Sequence, residues 1–492
     1  MERGSGILMH ISSLSSPYGI GTFGVQARSF VDFLKDAGQK YWQILPLGPT
    51  GFGDSPYQSF SMFAGNPYFI DFDWLIQKGL LRKRAVDSVR WGDNPCAVDY
   101  ENVYKNRGFV LRQAMRAAPA SMLADVEAFR DENRGWVEDY ALFMALKRRF
   151  DMRSWQDWRD VELRLHEGEA MSHYRKALRA DIDYNVFTQY VFWTQWSELR
   201  KYANSQGVKI IGDMPIYASM DSCDVWANRR YYELDAAGRP RGVAGVPPDY
   251  FSEDGQLWGN PLYNWEAIKA DGFGYWTGRM KGAEKAFDLV RLDHFRGLES
   301  FWSVPYGEKT ARRGEWRAGP GIALLDAVRG NISELEIIAE DLGILTPQVK
   351  QLLNKSEFPG MKVLQFAFDN AGENDYLPHN YVRSCVCYTG THDNTTAAQW
   401  AQQIFGEAFE FARAYMGVKE RGDLDAALIR SGMASVADLF IAQMQDWLGL
   451  SGECRMNTPG RGDGNWSWRL RDGELTSKLA EKICSMTRMY GR

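Results

Sequence analysis

Arg291, Asp293, His294 and Arg296 fall within six residues, at the close of the apolar run Phe287-Asp288-Leu289-Val290. A buried strand that ends in charge breaks the pattern of a core strand, because charges stay buried only when paired. At strand period Arg291 and Asp293 point to the same side and neutralise each other. Taken alone, that pair reads as a structural ion pair at a strand end. It becomes a site only if other strands close in the same way.

They do. One strand candidate ends Gly212-Asp213-Met214, another Ala339-Glu340-Asp341, and a third Gly390-Thr391-His392-Asp393-Asn394. Asp341 and Asn394 suit local capping, but several carboxylates gathered on one face repel unless protons, cations or function intervene. The spacing H-x-x-x-H and the calcium-loop pattern D-x-D-x-D-G are absent, as is the G-x-S-x-G elbow of a serine hydrolase. Paired carboxylates on neighbouring strands do suit glycoside chemistry, in which one attacks the anomeric carbon and the other donates a proton. A separation of about 5–5.5 Å then gives retention of configuration. Asp293, with Arg291 as countercharge, suits the attacking role. Glu340 follows the apolar Ile337-Ile338-Ala339 and has the setting in which burial keeps a carboxyl protonated.

The elements that must hold these groups repeat. Gly6–Ile11, Tyr41–Leu47, Val208–Asp213, Asp288–Asp293, Glu336–Asp341, Lys362–Phe368, Ser384–Tyr388 and a weaker Cys454–Asn457 read as eight strands, most followed by a helical pattern. Phe30, Phe33, Leu34 and Ala37 share a helix face that stops at Gly38, and Thr346-Pro347 opens another helix. The repeat predicts an α/β fold, a (β/α)8 TIM barrel spanning 1–492 as one catalytic unit. It carries large, mostly helical insertions after strands 2 and 3. These are a subdomain over about 48–207, built of an aromatic loop plus helices, and a cleft-loop region over about 214–286. No C-terminal β-sandwich is expected. An open, doubly wound sheet is the alternative, although no G-x-G-x-x-G loop follows any strand.

With 58 basic and 63 acidic residues the net charge is −5, which argues against a nucleic-acid partner. The 18 Trp and 23 Tyr exceed what a core needs and suit flat, amphipathic ligands such as sugars. Six scattered cysteines form neither a disulfide framework nor a zinc site. Neither a signal peptide nor a run of membrane-spanning length is apparent, so a cytoplasmic protein without a membrane partner is expected, as a monomer or weak homo-oligomer.

Arg291-Leu292-Asp293-His294-Phe295-Arg296-Gly297, Ala339-Glu340-Asp341-Leu342-Gly343 and Gly390-Thr391-His392-Asp393-Asn394 together resemble the 4-α-glucanotransferases (amylomaltases, or disproportionating enzymes), relatives of the α-amylase clan. Ser12–Gly21, Gly53–Gln58, Gly245–Phe251 and Trp258–Tyr263 resemble that family too, in order, so the likeness covers nearly the whole chain. It implies Asp293 as nucleophile, Glu340 as acid/base and Asp393 as transition-state stabiliser. It further implies that Arg291 orients Asp293, and that His294, His392, Asp213, Asn394 and Asn465 contact sugar. Tyr57, Gly245, Asp249, Tyr250, Phe251 and Trp258 are expected to wall the cleft and hold the acceptor, with water kept from the intermediate. Substrates would be α-1,4-glucans, with no metal or organic cofactor. Tyrosine is expected where Phe52 stands, near a secondary glucan groove; phenylalanine keeps stacking but loses a hydrogen bond. The rivals are an α-glucan hydrolase of the same clan and a catalytically inactive glucan-binding scaffold.

Overall fold

β1 (Gly4–Leu8), β2 (Tyr41–Gln43), β3 (Lys209–Met214), β4 (Gly242–Val246), β5 (Gln256–Pro261) and β6 (Leu289–Leu292) are followed by β7 (Ser300–Pro305), β8 (Glu315–Ala318) and β9 (Glu336–Ala339). The chain ends its strands with β10 (Gly360–Val363), β11 (Cys385–Tyr388) and β12 (Leu439–Gln443). The structure, a computed structural model, describes residues 1–492 except 52, 249–251, 344 and 370–373.

Eight of these strands lie parallel in the order β10-β11-β12-β1-β2-β3-β6-β9. The two ends meet where the Ala339 N–H donates to the Pro359 carbonyl at 2.9 Å, so the sheet curls into a nearly closed (β/α)8 barrel. Its strands are short and apolar because both faces are covered: Val290, Ile338, Val386 and Ile441 are all inaccessible to solvent. Seven of the eight barrel strands overlap the sequence expectation. The eighth does not: Cys454–Asn457 is a short 3-10 turn and an irregular stretch, and the strand that completes the barrel is β12. Leu439 to Gln443 pairs with both β1 and β11, which no segment around 454 does.

The insertion after β2 is a set of helices built on one long helix, Arg179–Ser205. Its 27 residues hold neither Gly nor Pro, and Phe192, Trp196, Leu199 and Ala203 line the buried face. Two glutamines of that helix pin the preceding aromatic loop. Gln189 exchanges two hydrogen bonds with the backbone of Gly65, both 2.8 Å. Gln195 does the same with Asp71, at 2.7 and 3.1 Å. Each buried amide thus substitutes for a strand partner, and the loop carrying Tyr57 is fixed without sheet.

The insertion after β3 carries the helices Cys223–Ala227, Trp265–Ala270 and Gly274–Ala286, and two strands besides. It supplies β4 and β5, which join β7 and β8 from beyond β6 in an antiparallel sheet ordered β5-β4-β7-β8. After β12 the chain has only short helical turns and the helix Ser477–Met489. Among the described residues no helix is long and apolar enough to cross a membrane.

Candidate active site

Parallel pairing brings the charged strand ends together. Asp213 on β3 is in register with Arg291 on β6, and Leu292 on β6 with Ala339 on β9. One residue on, Asp293 and Glu340 therefore stand side by side on strands about 4.8 Å apart. The backbone holds them there: Asp293 N–H donates to the Met214 carbonyl and Glu340 N–H to the Leu292 carbonyl, both at 3.0 Å.

Arg291 is buried and serves two carboxylates. Its Nη1 lies 2.8 Å from Asp293 Oδ1 and 2.9 Å from both oxygens of Asp213. Burial opposes its charge, but Asp213 and Asp293 outweigh that and lift the guanidinium well above its ordinary range. Asp213 also accepts from the Tyr57 hydroxyl at 2.8 Å. Its side chain has no solvent-accessible surface. Asp213, expected to touch sugar, is bonded here to Arg291 and Tyr57. Burial raises its pKa and Arg291 pulls it back.

Glu340 is buried but for 9% of its surface. Burial pushes its pKa up to about 7, aided by the charge of Asp293 and opposed first by Arg291. Leu342 N–H donates to Oε1 at 2.8 Å and His294 N–H to Oε2 at 2.7 Å. The second bond depends on an unusual backbone. His294 is left-handed, with φ 51° and ψ 50°, which turns its N–H toward the β9 carboxylate. Its ring meets the edge of Trp258 at 4.7 Å, and burial lowers its pKa to about 4, so the imidazole is neutral near pH 7.

Asp393 enters from the loop after β11, with 46% of its side chain exposed. His392 Nε2 lies 3.3 Å from its Oδ1, and Asn457 Nδ2 donates to the same oxygen at 2.6 Å. Arg455 fastens the segment by donating to the Asp393 carbonyl. The His392 ring stacks on Tyr57, centroids 4.9 Å apart at 18°, and Trp466 closes the layer at 5.9 Å from each. Arg455, Asn457 and Trp466 were not anticipated. The aromatic run Asn465-Trp466-Ser467-Trp468 was a signal for the last; the first two lay in the stretch read as a strand.

Several residues expected to meet the substrate have partners within the protein. The Asn394 amide oxygen accepts from the N–H and hydroxyl of Thr391, at 2.9 and 3.0 Å, closing its own loop. Asn465 accepts from Thr458 N–H and donates to the Arg461 carbonyl, both 2.9 Å, so it shapes the 458–465 turn. Gly245 sits inside β4, where a Cβ would come within 2.5 Å of the Gln256 carbonyl oxygen. Its bareness lets β5 approach and thereby places Trp258. Asp249, Tyr250 and Phe251, expected over the cleft, and Phe52, expected near a secondary groove, lie outside the described residues. The Arg296 guanidinium lies on the Trp316 ring, 4.1 Å from the centroid. Among the described residues no cluster of three His, Cys, Asp or Glu side chains is arranged to hold a metal ion.

A family model described as 4-alpha-glucanotransferase matches residues 9–476. A 4-alpha-glucanotransferase of Clostridium butyricum is 47% identical over 487 residues, covering 98% of this chain and 100% of its own. One of Thermus thermophilus is 45% identical over 498 residues, covering 99% of this chain and 98% of its own. Among solved structures, the amylomaltase from Streptococcus agalactiae in complex with acarbose superposes with a TM-score of 0.97 at 41% identity, over 100% of both chains.

Proposed function

The chain belongs to glycoside hydrolase family 77, the 4-alpha-glucanotransferases, and from that premise we propose how its residues perform glucan transfer. The hydrolase alternative is not favoured, because the relatives matched over their whole length carry the transferase name. The observation that carries the proposal is the side-by-side placement of Asp293, with its Arg291 countercharge, and Glu340, with a pKa of about 7.

Adjacent parallel strands carry the two carboxylates side by side, which supports a retaining pair, whose separation is about 5–5.5 Å. Asp293 attacks the anomeric carbon of an α-1,4-glucan while Glu340 gives its proton to the departing 4-oxygen. The bond from the anomeric carbon to the leaving glucan breaks as the bond to Asp293 forms. Once Asp293 is esterified its negative charge is gone, and with it the nearby anion that helps hold the Glu340 pKa up. Glu340 then favours its ionised form and acts as base on the 4-hydroxyl of an acceptor glucan, whose oxygen displaces Asp293. One carboxyl thus serves as acid and base because the nucleophile's own charge state switches its affinity for the proton.

The remaining residues divide the sugar between them. Asp393 grips hydroxyls and favours the distorted ring, a role that its contacts with Asn457 and His392 support. Tyr57 and His392, stacked on each other, and Trp258 against His294 form walls of the cleft. Asp213 acts through Arg291 as a positioning residue. A cytoplasmic site of action belongs to the same proposal, and six free thiols suit a reducing compartment.

Maltotriose tests this reading. Glucose together with maltodextrins longer than the substrate, at a constant number of reducing ends, is the expected result. Rising reducing ends without longer products would overturn it.

A further inference from the structure

Trp316 on β8 leaves 44% of its surface open to solvent, yet it packs against Arg296 and Trp302. The Arg296 guanidinium lies 4.1 Å from the ring centroid, and Trp302 on β7 meets it edge-on at 5.3 Å and 63°. Arg317, the next residue, forks onto Glu233 with two bonds of 2.6 Å. Just past β8, Gly319 N–H donates to the Glu299 carbonyl at 2.7 Å and Gly321 N–H to the Leu298 carbonyl at 2.8 Å.

Those last bonds matter for where the indole stands. Leu298 and Glu299 end the short turn Phe295–Leu298 that follows Asp293 and His294, and Arg296 belongs to that turn. Trp316 is therefore anchored, from behind and at its strand end, to the segment that carries the nucleophile. The sheet it belongs to returns to that segment at its opposite edge as well, where Trp258 on β5 touches His294. The two edges of one small sheet thus set two indoles against one catalytic segment, Trp258 directly and Trp316 through Arg296.

We propose that Trp316, backed by Arg296, is an outer stacking platform for the acceptor glucan, beyond the sugar that meets Trp258. This rests on the transfer reading above and adds where the distal units of a long acceptor lie. The occupant is the glucan because the turn that backs the platform directly follows Asp293 and His294, so the indole stands beside the segment that receives the sugar chain. Its chemistry is that of carbohydrate recognition: a rigid, partly open indole offers a flat apolar face to the C–H side of a pyranose. A pre-ordered side chain of this kind binds without losing rotamer freedom on contact, which favours weak, repeated sugar contacts.

The test uses reducing-end-labelled acceptors from glucose through maltose and maltotetraose to maltoheptaose, with maltotriose as common donor. Trp316→Leu keeps an apolar cover over Arg296 but removes the flat face; Trp316→Phe keeps a smaller face. The Leu variant is expected to leave the glucose KM within about twofold and to raise the maltoheptaose KM roughly fivefold to tenfold, with kcat unchanged. The Phe variant should recover most of that loss. Equal KM at every length, or an equal rise at every length including glucose, would overturn the platform while transfer by the wild type stands. A Leu variant without a cooperative thermal transition would likewise overturn it, by showing that the indole is a structural cover. Failure of the wild type to elongate any acceptor would instead overturn the transfer reading itself.

Discussion

Replacing Glu340 by glutamine has a consequence for folding stability that does not depend on turnover. The wild-type carboxyl has a pKa of about 7 in the folded protein against an ordinary 4.5, with burial as the main cause. The folded state therefore binds this proton more tightly than the unfolded chain, and between about pH 4.5 and pH 7 wild-type stability falls as pH rises. At 1.36 kcal/mol per unit the full shift corresponds to about 3 kcal/mol, an upper bound for a carboxyl so closely coupled to Asp293 and Arg291. Glutamine cannot ionise, so the variant lacks this slope. It does misplace one donor against the N–H groups of His294 and Leu342, but that penalty is the same at every pH. The diagnostic quantity is thus the stability of Glu340→Gln minus that of wild type, which should grow by about 1–3 kcal/mol from pH 5 to pH 8 and then level off. In a chain of 492 residues, about 1 kcal/mol moves the midpoint by about 1 °C, so the expected relative gain is about 1–3 °C by calorimetry. Melting curves that stay parallel from pH 5 to pH 8, or diverge in the opposite sense, would refute the buried-acid assignment.

The same titration should appear in catalysis: kcat/KM for maltotriose falls above about pH 7, approaching tenfold per unit, as Glu340 loses the proton it must donate; a flat profile to pH 9 would contradict it. Asn457→Ala removes the donor to Asp393 Oδ1, a bond to a charged acceptor, and should lower kcat/KM roughly tenfold to a hundredfold with the melting midpoint nearly unchanged; a loss under twofold would show that Asp393 needs no such holding. Arg291→Met leaves Asp213 and Asp293 without their shared cation and should destabilise the fold by about 3–5 kcal/mol at neutral pH, with partial recovery in acid as the carboxylates protonate. Chemical denaturation at pH 7 and pH 5 separates that outcome from a simple packing defect, which would cost the same at both.

Much of this architecture was legible in the sequence because barrel strands are short, buried on both faces and nearly continuous in apolar residues. The eighth strand was missed for a physical reason. Leu439-Phe440-Ile441-Ala442-Gln443 is only five residues long and follows a helix, Leu424–Ala434, that is itself rich in apolar residues, so the change of period is hard to see. The small antiparallel sheet hid for the opposite reason, since β8 is largely exposed and Glu315-Trp316-Arg317-Ala318 lacks the apolar alternation of a half-buried strand. The carboxylates at the barrel's mouth were readable from their strand ends, whereas their supports were not. Asn457 reaches Asp393 across 64 positions of chain, and the left-handed turn at His294 is a conformation that few non-glycine residues adopt. Asp213 shows the limit from the other side: its place at a strand end was anticipated, but only the packing reveals that it pairs with Arg291 and accepts from Tyr57.

The central claim is that Asp293 forms a covalent bond to the sugar. A maltosyl fluoride in the α configuration needs little acid assistance to depart, so Glu340→Gln should still be glycosylated while its second step, robbed of a base, is slow. Intact-protein and peptide mass spectrometry after mixing should then find one added maltosyl unit, carried by the peptide that contains Asp293. Fluoride release with no adduct and a product of inverted configuration, or an adduct mapped to Asp393, would contradict the account.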